Sequence, residues 1–207
     1  KGYMCLNYDK AEPLLHTQQR YWIRGNILES NRLLDTMVSF RPDAVVHLAA
    51  RTDLDGKTIT EYRENTLGTH NVLEVSKKTL SVKRVIVTST MYVCNRGHSS
   101  RADDDFTADT VYGESKVQTE QVTRQSKWPF DWIIIRPTVI WGPYHHRLSR
   151  EFFRILSMGL YFHPNTKTRR SYGYVENTAW QIVRLLEVKS KQISGRTFYL
   201  ADPPIEL

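Results

Sequence analysis

Three apolar runs of strand length, Ala44–Leu48, Arg84–Thr88 and Asp131–Ile135, are separated by amphipathic stretches of helix length, and this alternation restricts the fold more than any other feature of the chain. The runs lack polar alternation, as strands covered on both faces do. Shorter strand signals lie at Tyr3–Tyr8 and Tyr21–Arg24, and helices are expected at Glu29–Phe40, Ile59–Lys78 and Val111–Gln125. Arg41-Pro42 stops the first helix, and Arg136-Pro137 ends the third apolar run. Repeated strand–helix–strand crossovers make a doubly wound parallel sheet, with functional residues just beyond the carboxyl ends of its strands. After Pro143 the pattern loosens into helix Leu148–Ser157, a short strand near Arg170–Val175, helix Glu176–Leu186 and strand Arg196–Leu200. Two regions are therefore expected: the doubly wound domain over 1–143 and a smaller, partial region over 144–207 that returns a strand to the main sheet.

Composition narrows the class. With 207 residues, 40% apolar and 11% aromatic, the chain is long enough to bury a core and too rich in aromatics for a disordered segment. The longest apolar runs fall far below a membrane span and no leader opens the chain, so a cytoplasmic protein is expected. Two cysteines, Cys5 and Cys94, frame no disulfide scaffold. A net charge of +7 favours an anionic partner. Lys and Arg are spread along the chain without a basic run or an aromatic-basic motif, which argues against nucleic acid and leaves phosphorylated ligands and dinucleotides. Adjacent His145 and His146 lack a third ligand nearby in sequence, so no metal is expected.

The chemistry-bearing residues cluster in two places. Tyr112 and Lys116 stand at i and i+4, one above the other on a helix face. A cation a few ångströms from a phenol favours the phenolate and makes proton transfer feasible near neutral pH. A surface Tyr/Lys pair is the plainer alternative. About twenty residues earlier, Val85–Val87 runs into Thr88-Ser89-Thr90 where the sheet should end, placing hydroxyls where they can bind a reacting oxygen or merely cap a turn.

These residues resemble the extended short-chain dehydrogenase/reductases, and within them the NAD-dependent nucleotide-sugar epimerase/dehydratase group. The landmarks run in order: Pro42-Asp43-Ala44-Val45-Val46-His47-Leu48-Ala49-Ala50, Asn65-Thr66-Leu67-Gly68-Thr69-His70-Asn71-Val72-Leu73, Ser89-Thr90, Tyr112-x-x-x-Lys116, and Arg136-Pro137 followed by Trp141-Gly142-Pro143. The resemblance implies that Tyr112 is the catalytic acid/base, that Lys116 tunes it and holds the nicotinamide ribose, and that Thr90 hydrogen-bonds the substrate oxygen. It implies a cofactor site of Asp9, Asn26, Ile27, Leu48, Ala49, Ala50, Asn65, Thr88, Tyr112, Lys116, Pro137 and Thr138. Arg170 would grip a nucleotide-sugar diphosphate, a role suited to a guanidinium fork.

An acidic residue at the position of Asp9 accepts hydrogen bonds from the adenosine ribose and repels a 2′-phosphate, which favours NAD over NADP, while Lys10 beside it leaves the choice open. The family's Gly-rich turn is absent before Asp9, as is the strand that would be central in the sheet, so the chain reads as an internal piece of a longer protein. Met91-Tyr92 stands where dehydratases of this group carry an Asp-Glu pair, which argues against a 4,6-dehydratase; the resemblance implies an NAD-dependent epimerase or oxidoreductase acting on a nucleotide-activated sugar in polysaccharide biosynthesis. The alternatives are an NAD(P)-dependent reductase or dehydrogenase of a non-nucleotide, sterol-like alcohol and a non-catalytic dinucleotide-sensing module. A homodimer is expected by the same resemblance.

Overall fold

The computed structural model describes residues 2–95, 97–98, 100–125, 127–144, 154–160 and 171–203. Its strands are β1 (Asn7–Asp9), β2 (Trp22–Arg24), β3 (Ala44–His47), β4 (Arg84–Thr88), β5 (Asp131–Pro137), β6 (Val139–Trp141), β7 (Tyr172–Tyr174) and β8 (Arg196–Leu200). The main helices are α1 (Ser30–Phe40), α2 (Thr69–Lys78), α3 (Val111–Gln125) and α4 (Val175–Glu187). Among the described residues every strand pairing is parallel: β3-β4-β5-β8 form one sheet, β1-β2 a second and β6-β7 a third. The expected doubly wound α/β architecture is present, its strands divided among three sheets.

The reason lies in the apolar runs. Val85, Ile86 and Val87 of β4 and Ile133, Ile134 and Ile135 of β5 are all fully buried. Strand alternation sends Val85 and Val87 into a core with Leu33 and Met37 of α1 and Val72, Leu73 and Val75 of α2, and sends Ile86 into a second core with Ile133, Ile135 and Leu185 of α4. Helices thus cover both faces of the sheet, which is why these strands carry no polar side. Ile27, following β2, belongs to the first core, so the β1-β2 pair shares its packing.

Several boundaries differ from the sequence-based expectation. The strand expected over Tyr3–Tyr8 is Asn7–Asp9, limited to the three residues that find partners in β2. β5 runs through Arg136 to Pro137, since Pro137 lies opposite Leu200 at the strand's last position, where its missing N–H breaks no ladder. β6 was not anticipated. Of the helix expected at Leu148–Ser157, residues 154–157 are helical and the remainder lies outside the described residues.

The largest difference concerns Ile59–Lys78, expected as one helix. It opens as a 3-10 turn over Ile59–Tyr62 behind a Thr58/Glu61 capping box, widens into a π-helical segment over Glu64–Gly68, and only then becomes α2. The wide turn is closed by the Gly68 N–H donating to the Arg63 carbonyl at 2.8 Å. Gly68 lies against Ile27, and a Cβ there would collide with that side chain. Such widened turns concentrate at functional sites, and this one carries Glu64 and Asn65.

Candidate functional site

The carboxyl ends of β1, β2 and β3 open into one recess of about 180 Å³, lined by Tyr8, Asp9, Lys10, Gly25, Asn26, Ile27, Leu48, Ala49, Ala50 and Glu64. Six of the residues named from sequence, Asp9, Asn26, Ile27, Leu48, Ala49 and Ala50, meet here although they come from three separate strands. Polar side chains shape its loops: Asp9 Oδ1 accepts from the Ala11 N–H at 2.8 Å, and Asn26 Oδ1 from the Leu28 N–H at 3.0 Å. Leu48 is half exposed, whereas the Ile27 side chain is buried in the core. Tyr8, Gly25 and Glu64 were not anticipated, and Lys10 was expected to bear only on the choice between NAD and NADP. Lys10 Nζ reaches Glu64 Oε1 at 3.1 Å, an ion pair linking the loop after β1 to the π-helical segment.

The second group lies where α3 crosses the end of β4. Tyr112 and Lys116 face inward, 8% and 2% exposed. The Tyr112 ring sits between Tyr62, with centroids 6.1 Å apart, and Tyr92, edge-on at 6.0 Å. Thr90, 7% exposed, caps the 3-10 turn Met91–Val93 that carries Tyr92, its hydroxyl accepting from the Tyr92 N–H at 3.3 Å. Gly113 lets this turn approach α3, because a Cβ at that position would run into the Tyr92 carbonyl. The turn opened by Thr90 is therefore seated directly on the Tyr112 end of the helix.

Electrostatics around Lys116 are unusual. Burial pulls its pKa from 10.5 down to about 8, opposed by the Glu120 carboxylate one turn on. His47 at the end of β3 is also buried; desolvation, followed by the charge of Lys116, lowers its pKa to about 3, so it is neutral and exchanges a hydrogen bond with the Thr69 hydroxyl at 3.0 Å. Beside Ser89 the Thr88 Oγ1 is buried with no hydrogen-bond partner among the described residues. An unpaired buried hydroxyl at a strand's carboxyl end is what a bound polar ligand would satisfy.

Other candidates are occupied locally. Asn65 is fully buried: its Oδ1 accepts from the Arg51 N–H at 2.8 Å, and its Nδ2 donates to the Arg51 carbonyl at 2.9 Å and the Ser115 hydroxyl at 2.8 Å. It thus ties the loop after β3 to α3. Thr138 donates its hydroxyl and its N–H to the Leu200 carbonyl, at 3.3 and 3.0 Å, joining the end of β5 to β8 beside Pro137. Arg170, His145 and His146 lie outside the described residues. Among the described residues no group of three His, Cys, Asp or Glu could hold a metal ion, and no helix is long and apolar enough to cross a membrane.

Sequence reading also missed a buried charge cluster beneath Tyr112. Glu120 and Arg136 are both fully buried and paired, Nε to Oε1 at 2.7 Å. The available signal was Glu120 itself, which continues the i, i+4 series Tyr112, Lys116 on a face otherwise made of Ser and Thr.

Comparison with known proteins places these features in context. The family profile described as "NAD dependent epimerase/dehydratase family" matches residues 2–201. The UDP-glucose 4-epimerase of Vibrio cholerae is 31% identical over 171 residues, covering 76% of this chain and 51% of that protein. The dTDP-D-glucose 4,6-dehydratase of Dictyostelium discoideum is 27% identical over 195 residues, covering 84% of this chain and 45% of its own. The chain thus spans about half the length of these curated relatives. The crystal structure of UDP-glucose 4-epimerase from Brucella ovis in complex with NAD superimposes with a TM-score of 0.75 at 22% identity, over 97% of this chain and 70% of that one, a match of fold.

Proposed function

The chain belongs to the NAD dependent epimerase/dehydratase family, and from that premise we propose that it is part of an NAD-dependent epimerase of a nucleotide-activated sugar. What supports the reading is the seating of the Thr90 turn on Tyr112, with Lys116 buried one turn on, together with a recess lined by six of the residues expected to hold a dinucleotide. The residues fit that group. Small side chains at Ala49 and Ala50 leave the strand end open to close approach, Asp9 supplies a carboxylate, and the unpaired Thr88 hydroxyl awaits a partner. Asp9, Asn26 and Leu48–Ala50 would hold its adenosine half, with Lys116 and Thr88 toward the other. Bound there, NAD supplies a nicotinamide that takes up hydride from a carbinol carbon and returns it.

What this chain's own residues do follows from their chemistry. Tyr112 takes the hydroxyl proton of the substrate as the carbinol is oxidised and gives it back on reduction. Thr90 donates a hydrogen bond to the same oxygen. Lys116, a buried cation at i+4, favours the phenolate form of Tyr112. Loss of water from the sugar would need a further acid and base at the reacting carbons; the turn after Thr90 offers Met91 and Tyr92 instead of carboxylates, which favours epimerisation over dehydration.

The test is incubation of the full-length protein with NAD and a panel of UDP- and dTDP-sugars. We expect inversion at one carbon without accumulation of NADH. Net NADH formation would replace the epimerase by a dehydrogenase, and absence of any dinucleotide binding would remove the reading altogether.

A further inference from the structure

Glu120 lies two helical turns beyond Tyr112 and one beyond Lys116, on the same face of α3, and is fully buried. Its carboxylate is saturated. Oε1 accepts from Ser89 Oγ at 2.5 Å and Arg136 Nε at 2.7 Å; Oε2 accepts from Arg136 Nη2 at 2.8 Å and Arg124 Nη2 at 3.1 Å. The arginines are anchored in turn. Arg136 donates to the Tyr199 hydroxyl at 2.6 Å and to the Asp103 carbonyl, and Arg124 to the Thr197 hydroxyl at 2.6 Å. One carboxylate therefore joins α3 to the ends of β4 and β5, to β8, and to the loop before α3.

The contact with Ser89 has a consequence for the neighbouring residue. Ser89 is fixed twice, by its hydroxyl to Glu120 and by its N–H to the Ile135 carbonyl at 2.7 Å. Thr90 follows it in extended conformation, φ −158° and ψ 160°, so the two side chains leave the backbone on opposite sides. Ser89 points into α3, and the Thr90 hydroxyl caps the turn that seats Tyr92 against Tyr112. A buried ion pair is weak as a source of stability, because well-packed apolar groups of the same volume serve as well or better. What it fixes is direction, through short hydrogen bonds of defined angle.

We propose that Glu120, braced by Arg136 and Arg124, is a positioning residue which, through Ser89, sets the separation between the Thr90 hydroxyl and the Tyr112 phenol. This rests on the epimerase reading above. Misplacing such a pair by about 1 Å costs on the order of 100-fold in turnover, while binding determinants elsewhere in the cleft are untouched.

The experiment uses the full-length protein with Ser89→Ala, Ser89→Thr and Glu120→Gln. Ser89→Ala keeps the ion pairs and removes only the link. It is expected to bind NAD with parental affinity by fluorescence titration, to keep the KM for the nucleotide sugar, to lose only several degrees of melting temperature for the one buried hydrogen bond removed, and to lose about 10- to 100-fold in kcat. Ser89→Thr, which restores a hydroxyl, should recover most of that loss. Glu120→Gln, which keeps an acceptor for Ser89, should lose less kcat than Ser89→Ala per degree of melting temperature lost. A Ser89→Ala kcat within twofold of the parent overturns the proposal. So does a loss shared equally by kcat, NAD affinity and melting temperature, which would mark Ser89 as structural. A parent protein that binds no dinucleotide removes the epimerase reading first, and the brace with it.

Discussion

Replacing Lys116 by Met should stabilise the protein while removing its activity. Burial lowers the Lys116 pKa from 10.5 to about 8 even with Glu120 opposing the shift. At about 1.4 kcal/mol for each pKa unit, holding that ammonium inside the folded protein costs on the order of 3 kcal/mol wherever both folded and unfolded chains are protonated, that is, below pH 8. Met has the same unbranched reach and no charge to desolvate, so the cost disappears. At pH 7 the variant should gain about 2–3 kcal/mol in urea denaturation, or about 5–10 °C in Tm for a chain of this size. The advantage should depend on pH with a definite sign. Between pH 8 and 10.5 the folded wild type has released the proton and the unfolded chain has not, so wild-type stability rises relative to the variant and the gap closes near pH 10.5. A variant less stable than wild type at pH 7, or a difference independent of pH from 7 to 10.5, would refute the reasoning. A residue that weakens the fold by its charge is retained for what that charge does.

The same physics predicts the acid limb. His47, with its pKa lowered to about 3 by burial, must bind a proton on unfolding once the pH falls below 6.5, so stability should decline from pH 6.5 toward 3, and His47→Gln should flatten that decline in acid denaturation; its ring signals should not titrate between pH 5 and 8 in NMR. Arg136→Met should cost about 3–5 kcal/mol by leaving Glu120 buried with reduced compensation, and the double variant with Glu120→Gln should cost less than the sum of the singles in a denaturation cycle. Tyr112→Phe should abolish turnover of the nucleotide sugar while NAD affinity, measured by fluorescence titration, is retained; unchanged turnover would remove Tyr112 from the chemistry.

Much of this molecule is legible in its linear order because local rules suffice. β4 and α3 have the limits that apolar runs and helical spacing predict, and β5 begins where its run begins. The i, i+4 placement of Tyr112 and Lys116 is a property of any helix, and the gathering of Asp9, Asn26 and Leu48–Ala50 follows from the rule that functional residues lie just beyond the carboxyl ends of the strands. The break of Ile59–Lys78 into three kinds of helix could not be read this way. Asn65 must meet both Arg51 and Ser115, one of them fifty residues distant, and Gly68 must pass Ile27, so the π-helical turn answers to neighbours that local pattern does not reveal.

The chain order alone determined a parallel α/β sheet and a phenol and an ammonium on one helix face, since both arise from periodicities of 2 and 3.6 residues. Which polar groups are buried, and what satisfies them, was decided only by folding. Glu120 finds Arg136 sixteen residues away and Ser89 thirty-one residues away because the low-dielectric interior penalises each group left alone, and those partners exist only once β4, β5 and α3 are packed.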